Sequence, residues 1–372
     1  DAGPGVMGRL VVVAHHLVVD GVSWRVLLPD LQAACEAVAE GREPVLDPVG
    51  TSFRRWSQLL AAQAVSEERV AELPAWQALL GEPQAPLGGR ALDPAVDTAV
   101  TLRRRSWTVS GAQAAVVVER VAPAFHCGVR EVLLAGLAGA VAHWRRGVDE
   151  AAPVLVDVEG HGREPVEGVD LSRTVGWFTS SYPVRLAVPA GQLDDAMAGG
   201  QGAGRLVKAV KEQVRAVPGD GLGHGLLRHL NPDTGPVLRA APTPQVGFNY
   251  LGRFTAGRGT GPAGPWQPAG AARGAVDPEL PVTHPVAAAA VVRDTADGPE
   301  LEITLSWAGR LLGEADVQRL GESWLALLNG FAAHTTSADA GGHTPSDFPL
   351  LDLAQHQIEE LEAEFGQLRR PR

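Results

Sequence analysis

The chain is short of lysine and cysteine and lacks long basic or apolar runs, and the missing cysteines and runs exclude several classes of function. Lys208 and Lys211 are the only lysines among 32 basic residues, against 43 acidic ones, for a formal net charge of -11. An acidic chain whose longest basic run is Arg103-Arg104-Arg105 lacks the footprint of a nucleic-acid binder. That run reads as a solvated strand edge. Two cysteines, Cys35 and Cys127, form neither a disulfide framework nor a zinc spacing, which fits a reducing cytoplasm. The apolar run at residues 10–14 is far too short to cross a bilayer, and nothing resembles a signal peptide, so no membrane partner is expected.

What is present is apolar and patterned. With 372 residues, 45% of them hydrophobic, the chain can bury a large core or two packed lobes. Residues 8–14 read as a strand buried on both faces, with no cap or hairpin before it, so the start is expected to cut through a domain. A helix follows with Leu27, Leu28, Leu31, Cys35 and Val38 on one face, interrupted at Pro29 and stopped at Gly41. A helical stretch over 53–80, broken near Pro74, leads into a Pro/Gly-rich connection through Asp93. That connection predicts two units, 1–93 and 94–372.

Beyond it the pattern predicts a strand over 100–109 and a helix capped by Ser110 and ending near Pro123. A longer helix over 129–146, a short buried strand over 154–158 and a helix over 205–217 come next. The last part reads as a strand over 245–251, a long loop over 255–281, an alternating strand around Leu301–Trp307 and an amphipathic helix over 316–334. The class is mixed α/β (α+β).

Four segments could carry chemistry, one of them Arg173 to Pro183, whose aromatics beside small polar residues read equally as a core strand or a pocket wall. In Ala14-His15-His16-Leu17-Val18-Val19-Asp20-Gly21, two histidines end a strand, so their side chains should point to opposite faces and cannot share one metal. One is expected to face a cavity and the other to pack inside, and both a catalytic pair and a satisfied core pair fit. Histidine is the usual general acid or base near neutral pH. Asp20-Gly21 reads as a turn that lets the carboxylate fix a neighbouring polar group.

Asp157-Val-Glu159-Gly-His161-Gly-Arg163-Glu164 ends a strand with a carboxylate among glycines, either close to a ligand or in a surface turn. A zinc site there lacks a third ligand at suitable spacing, so no metal is assigned. In Phe248-Asn249-Tyr250-Leu251-Gly252-Arg253, Asn249 and Tyr250 lie on opposite faces of a strand, and spacing does not say which meets a substrate.

His15-His16-x-x-x-Asp20-Gly21 resembles the signature of the condensation-domain superfamily, which includes chloramphenicol-acetyltransferase-like acyltransferases. Its continuation Val22-Ser23-Trp24-Arg25 is similar to the epimerisation branch of nonribosomal peptide synthetases. So are Glu159-Gly-His161-Gly-Arg163-Glu164, Arg173-Thr-Val-Gly-Trp-Phe-Thr and Phe248-Asn-Tyr-Leu-Gly-Arg253. Pro218 to Gly225 looks like a further family segment, with His224 where the family usually has tyrosine, and Thr344 to Leu350 resembles the closing stretch.

The resemblance covers essentially the whole chain and implies a two-lobed chloramphenicol-acetyltransferase-like pseudo-dimer. Family members carry a further stretch before the His-His strand, so the N-terminal lobe is expected to be truncated here. The implied reaction inverts the α-carbon of an aminoacyl or peptidyl thioester. No cofactor is bound directly, since the substrate rides on the phosphopantetheine arm of a carrier domain. His16 and Glu159 are the implied catalytic pair, with His15, Asp20, Gly21, Asn249 and Tyr250 in supporting roles. An upstream peptidyl carrier domain and a downstream condensation domain are the implied partners. The alternatives are a peptide-bond-forming condensation domain, and a non-catalytic carrier-docking domain or inactive fragment.

Overall fold

Apolar residues at every second position build the strands of a single sheet. The computed structural model describes residues 8–81, 83–109, 111–146, 152–255, 266, 276–337 and 340–368. Its strands are β1 (Leu102–Val109), β2 (Val154–Gly160), β3 (Ser180–Leu186), β4 (Val246–Thr255), β5 (Val286–Thr295) and β6 (Gly298–Ala308). They lie in the order β1-β6-β5-β4-β2-β3. The pairs β2–β4 and β4–β5 run parallel and the others antiparallel. This is the mixed α/β architecture the pattern predicts. A second sheet, expected of a two-lobed molecule, is not found among the described residues.

One face of the sheet is the core. Val156, Val158, Val184, Phe248, Ala288, Ala290, Ile303 and Leu305 are buried on it. Helices Val129–Trp144 and Glu314–His334 belong to that core, and Gln201–Arg215 adds Leu206, Val207 and Val210 to it. The Trp324 ring meets Phe248 edge-on at 6.5 Å, and its Nε1–H donates to the Leu133 carbonyl at 3.1 Å, so a large ring is buried without stranding its polar atom. The first of these helices is apolar all round, as a helix enclosed by a core should be.

Among the described residues, those before 81 form helices and connections but no strand, the helices being Gly21–Ala39, Phe53–Ala64, Glu67–Val70 and Leu73–Leu80. The break expected near Pro74 is there, with proline in the first turn of the last of them. That helix leans on edge strand β3, whose Arg185 donates to the Leu79 carbonyl at 2.6 Å and also to Leu80, satisfying carbonyls the helix end leaves open. Trp76 from the same helix is fully buried in the main core.

Several expectations need correction. Residues 8–14 form no strand, because an apolar run becomes a buried strand only beside hydrogen-bonding neighbours. None of the six strands adjoins it, and Val13 is 82% exposed. Asp20-Gly21 is not a turn but the start of the Gly21–Ala39 helix, with Asp20 as its cap. In that helix Leu28, Cys35 and Val38 lie open, whereas Ser23, Val26 and Ala37 are buried. Pro29 is accommodated inside it.

Ser110 and most of the 255–281 loop lie outside the described residues. The pattern overlooked β5, whose Ala287-Ala-Ala-Ala290 run shows no contrast between faces. Of the 173–183 stretch, read as a core strand or a pocket wall, only the part from Ser180 is strand, as β3, and Pro183 is tolerated there because β3 is the sheet edge. Among the described residues no single helix is long and apolar enough to cross a membrane.

Candidate active site

Two segments far apart in sequence are tied by one buried ion pair. Asp20 is 4% exposed, and its carboxylate accepts from the Ser23 amide at 2.7 Å and hydroxyl at 2.8 Å, and from the Phe178 amide at 3.2 Å. The Arg163 guanidinium approaches both oxygens, at 3.1 and 3.2 Å. Burial pushes the Asp20 carboxyl up, but the Ser23 donors, the Arg163 charge and the Phe178 amide outweigh it and hold it below the usual range.

Arg163 is held in turn by the carbonyls of Leu171 at 2.8 Å and Thr174 at 2.7 Å, and it lies 3.9 Å from the Phe178 ring centre. Gly162 makes that approach possible. Its φ is +65°, and a Cβ there would stand 1.6 Å from the Phe178 carbonyl oxygen. Ser23 also bridges to Gly176, accepting from its amide at 3.1 Å and sharing the one hydroxyl proton between Asp20 and the Gly176 carbonyl, 2.9 Å away. The start of the first helix, the loop after β2 and the loop before β3 are therefore one knot.

The knot fixes the turn before it. The Val18 amide donates to the His15 carbonyl at 3.0 Å, so His16 occupies a tight turn and not a strand end. His15 accepts from the Leu17 amide at 3.1 Å through Nδ1, and both histidines are exposed, so neither packs inside as strand geometry predicted. The His16 ring meets exposed Trp177 edge-on at 5.2 Å. Gly21 opens the helix with free space where a Cβ would be, so no contact there demands glycine.

Across from this turn is the second face of the sheet. Register places Ser181, Glu159, Asn249, Ala289, Thr304 and Ser106 in one row across all six strands. Glu159 accepts a hydrogen bond from the Asn249 side chain. Neighbouring protein atoms withdraw water from Glu159 and push its carboxyl up, and the Asp157 charge adds to this. His284 and His16 pull the other way, which puts His16 within electrostatic reach of Glu159. Asp157, on the same face, accepts from the Ser181 hydroxyl and bonds His284 Nε2 at 3.2 Å.

Of the residues the sequence singled out, Glu159 and Asn249 lie together on this face, His16 is near enough to act electrostatically on Glu159, and Asp20 builds the knot next to the His16 turn. Tyr250 points to the opposite face and packs against the core, where burial pushes its hydroxyl up. His15 stays at the turn surface. Ser181 and Trp177 fall in the stretch read as a core strand or pocket wall, whereas Asp157 and His284 were given no role, although the two-residue period of β2 places Asp157 beside Glu159. His284 carries no such signal: it belongs to no motif and reaches the site over Gly247.

The Condensation domain family model matches residues 7–349. This chain belongs to the condensation-domain family. It is 36% identical over 362 residues to a linear gramicidin synthase of Brevibacillus parabrevis, a match covering 96% of this chain and 7% of that synthase. Among solved structures it is similar to the epimerization domain from the third module of tyrocidine synthetase B. That likeness has a TM-score of 0.69 and 29% identity, and covers 86% of this chain and 68% of the other. The X-domain from teicoplanin biosynthesis shares the condensation-domain fold at a TM-score of 0.55 and 19% identity, covering 86% and 68% of the two chains.

Proposed function

We infer that this condensation-family chain epimerises the α-carbon of an aminoacyl or peptidyl thioester held on the phosphopantetheine arm of a carrier domain. The observation that carries the reading is Glu159, held by Asn249 on an open polar face and within electrostatic reach of His16. A carboxyl whose proton affinity is raised can accept a carbon-bound proton and later return one. The likeness to the tyrocidine synthetase epimerization domain supports it.

In this reading Glu159 exchanges the proton on one face of the α-carbon. As that C–H bond breaks, its electron pair moves onto the thioester oxygen. His16 delivers a proton to the other face or, as imidazolium, steadies the enolate oxygen. Which residue removes and which returns follows the direction of inversion. Residues 1–93 would bring His16 and 94–372 the Glu159 face, with a peptidyl carrier domain upstream and a condensation domain downstream.

Washing solvent deuterium into the α-carbon tests this in the full-length protein. His16→Ala and Glu159→Gln should each abolish it, and undiminished exchange in both sinks the assignment. The family also fits peptide-bond formation, with His16 assisting an amine. Chiral analysis of the product separates the two, because bond formation without inversion excludes epimerisation.

A further inference from the structure

Glu159 shares its strand face with a second carboxylate two residues away, so the two side chains project in the same direction from neighbouring pleats. The two are treated differently. Glu159 has one side-chain partner, the Asn249 amide, which carries no charge. Asp157 is held from two sides, by the Ser181 hydroxyl from β3 and by the His284 imidazole from the loop before β5. Gly247 lies under His284, where a Cβ would come 2.8 Å from its Nδ1. The floor of β4 is thus shaped to admit the ring that holds Asp157.

We propose that Asp157, clamped by Ser181 and His284, is a positioning residue that sets the strength of Glu159 as the base toward the substrate's α-proton. This rests on the epimerisation reading of the same face. Like charges on one face favour one ionised and one protonated carboxyl, and the clamp decides which is which. Burial alone would push Asp157 up, but the His284 and Ser181 hydrogen bonds outweigh it and keep it ionised, while Asp157 adds to the rise at Glu159.

The other groups facing this corner are His16 from the turn after residue 15 and His224 from the Leu222–His229 helix. His224 is buried and lies 5.2 Å from the Trp76 ring, and burial followed by the Arg228 charge brings its imidazole down to about 4. It is therefore neutral near pH 7 and adds no charge beside Asp157 at that pH. His284 bonds Asp157 through its imidazole, and its influence on Glu159 runs opposite to that of Asp157.

The test follows kcat/KM for solvent-deuterium exchange into a soluble aminoacyl pantetheine thioester against pH, using the full-length protein. Glu159 must be ionised to act as base, so exchange is lost as pH falls through its pKa. Asp157→Asn should move that acid limb down by about one pH unit. It should also slow exchange at neutral pH roughly three- to tenfold with KM unchanged. Asp157→Glu should restore the limb. An unmoved limb in a folded Asp157→Asn variant overturns the proposal. If that variant does not fold, Asp157→Ser, which is also neutral, decides on the same terms: the limb should move down, and an unmoved limb overturns the proposal. Infrared titration of the Glu159 carboxyl, identified by its loss in Glu159→Gln, needs no turnover. If the wild-type protein exchanges nothing, the epimerisation reading fails, and this titration in Asp157→Asn still decides whether Asp157 tunes Glu159.

Discussion

His16 and Asp20 stand four residues apart and meet opposite surroundings. Asp20 is buried and accepts from two amides, a hydroxyl and a guanidinium. His16 is exposed and touches one ring. The same division holds in the partner segment, where Arg163 is 8% exposed in its side chain and Glu159 is open with one amide partner. Within each segment, one residue is satisfied by the protein and the other is left for something else to satisfy. Residue type does not distinguish these roles, since all four can titrate or carry charge. Burial and the number of partners do.

The comparison breaks most sharply at the knot. Arg163→Ala leaves Asp20 buried without its countercharge and should cost about 3–5 kcal/mol in urea unfolding. A loss below about 1 kcal/mol would mean that the pair does not hold the segments together. Gly162→Ala should destabilise by at least about 2 kcal/mol, because the left-handed backbone and the Phe178 carbonyl both oppose a Cβ.

A smaller effect is expected from pH. Burial pushes Asp347 up, but Lys211, the Thr344 amide and Arg215 more than reverse this and bring it down to about 2. A depressed carboxyl contributes stability that is complete above its unfolded value, about 3.9, and is lost as pH falls toward 2. Acid unfolding should therefore steepen across that window, and less so in Asp347→Asn. At the other end of the scale, His16→Ala should change stability by less than about 0.5 kcal/mol while abolishing exchange. A large loss of stability there would erase the contrast between the two positions.

Much of the fold could be read from the sequence where burial differs between faces. Leu301, Ile303, Leu305 and Trp307 announce β6, and the apolar run after Val129 announces its helix. β5 was hidden because four consecutive alanines suit either face of a sheet. The run over 8–14 misled because apolar composition predicts burial without supplying neighbours. At the site, spacing separated Asn249 from Tyr250 but not which of them meets Glu159, since that depends on how β4 lies against β2. The clamp on Asp157 was illegible for a similar reason. His284 is distant in sequence, and only the packing over Gly247 brings it near.

The pairing of Glu159 with Asn249 has a consequence for how this chain can change. Side chains alternate across the sheet, so a deletion or insertion of one residue between 246 and 249 would exchange the two faces of β4. Deleting one would present Tyr250 to the carboxylate and turn the amide into the apolar core. Removing two would conserve the facing but draw in a new neighbour. Length variation in this strand is therefore constrained by parity, and descendants that alter it by an odd number must rebuild both sides of the sheet at once.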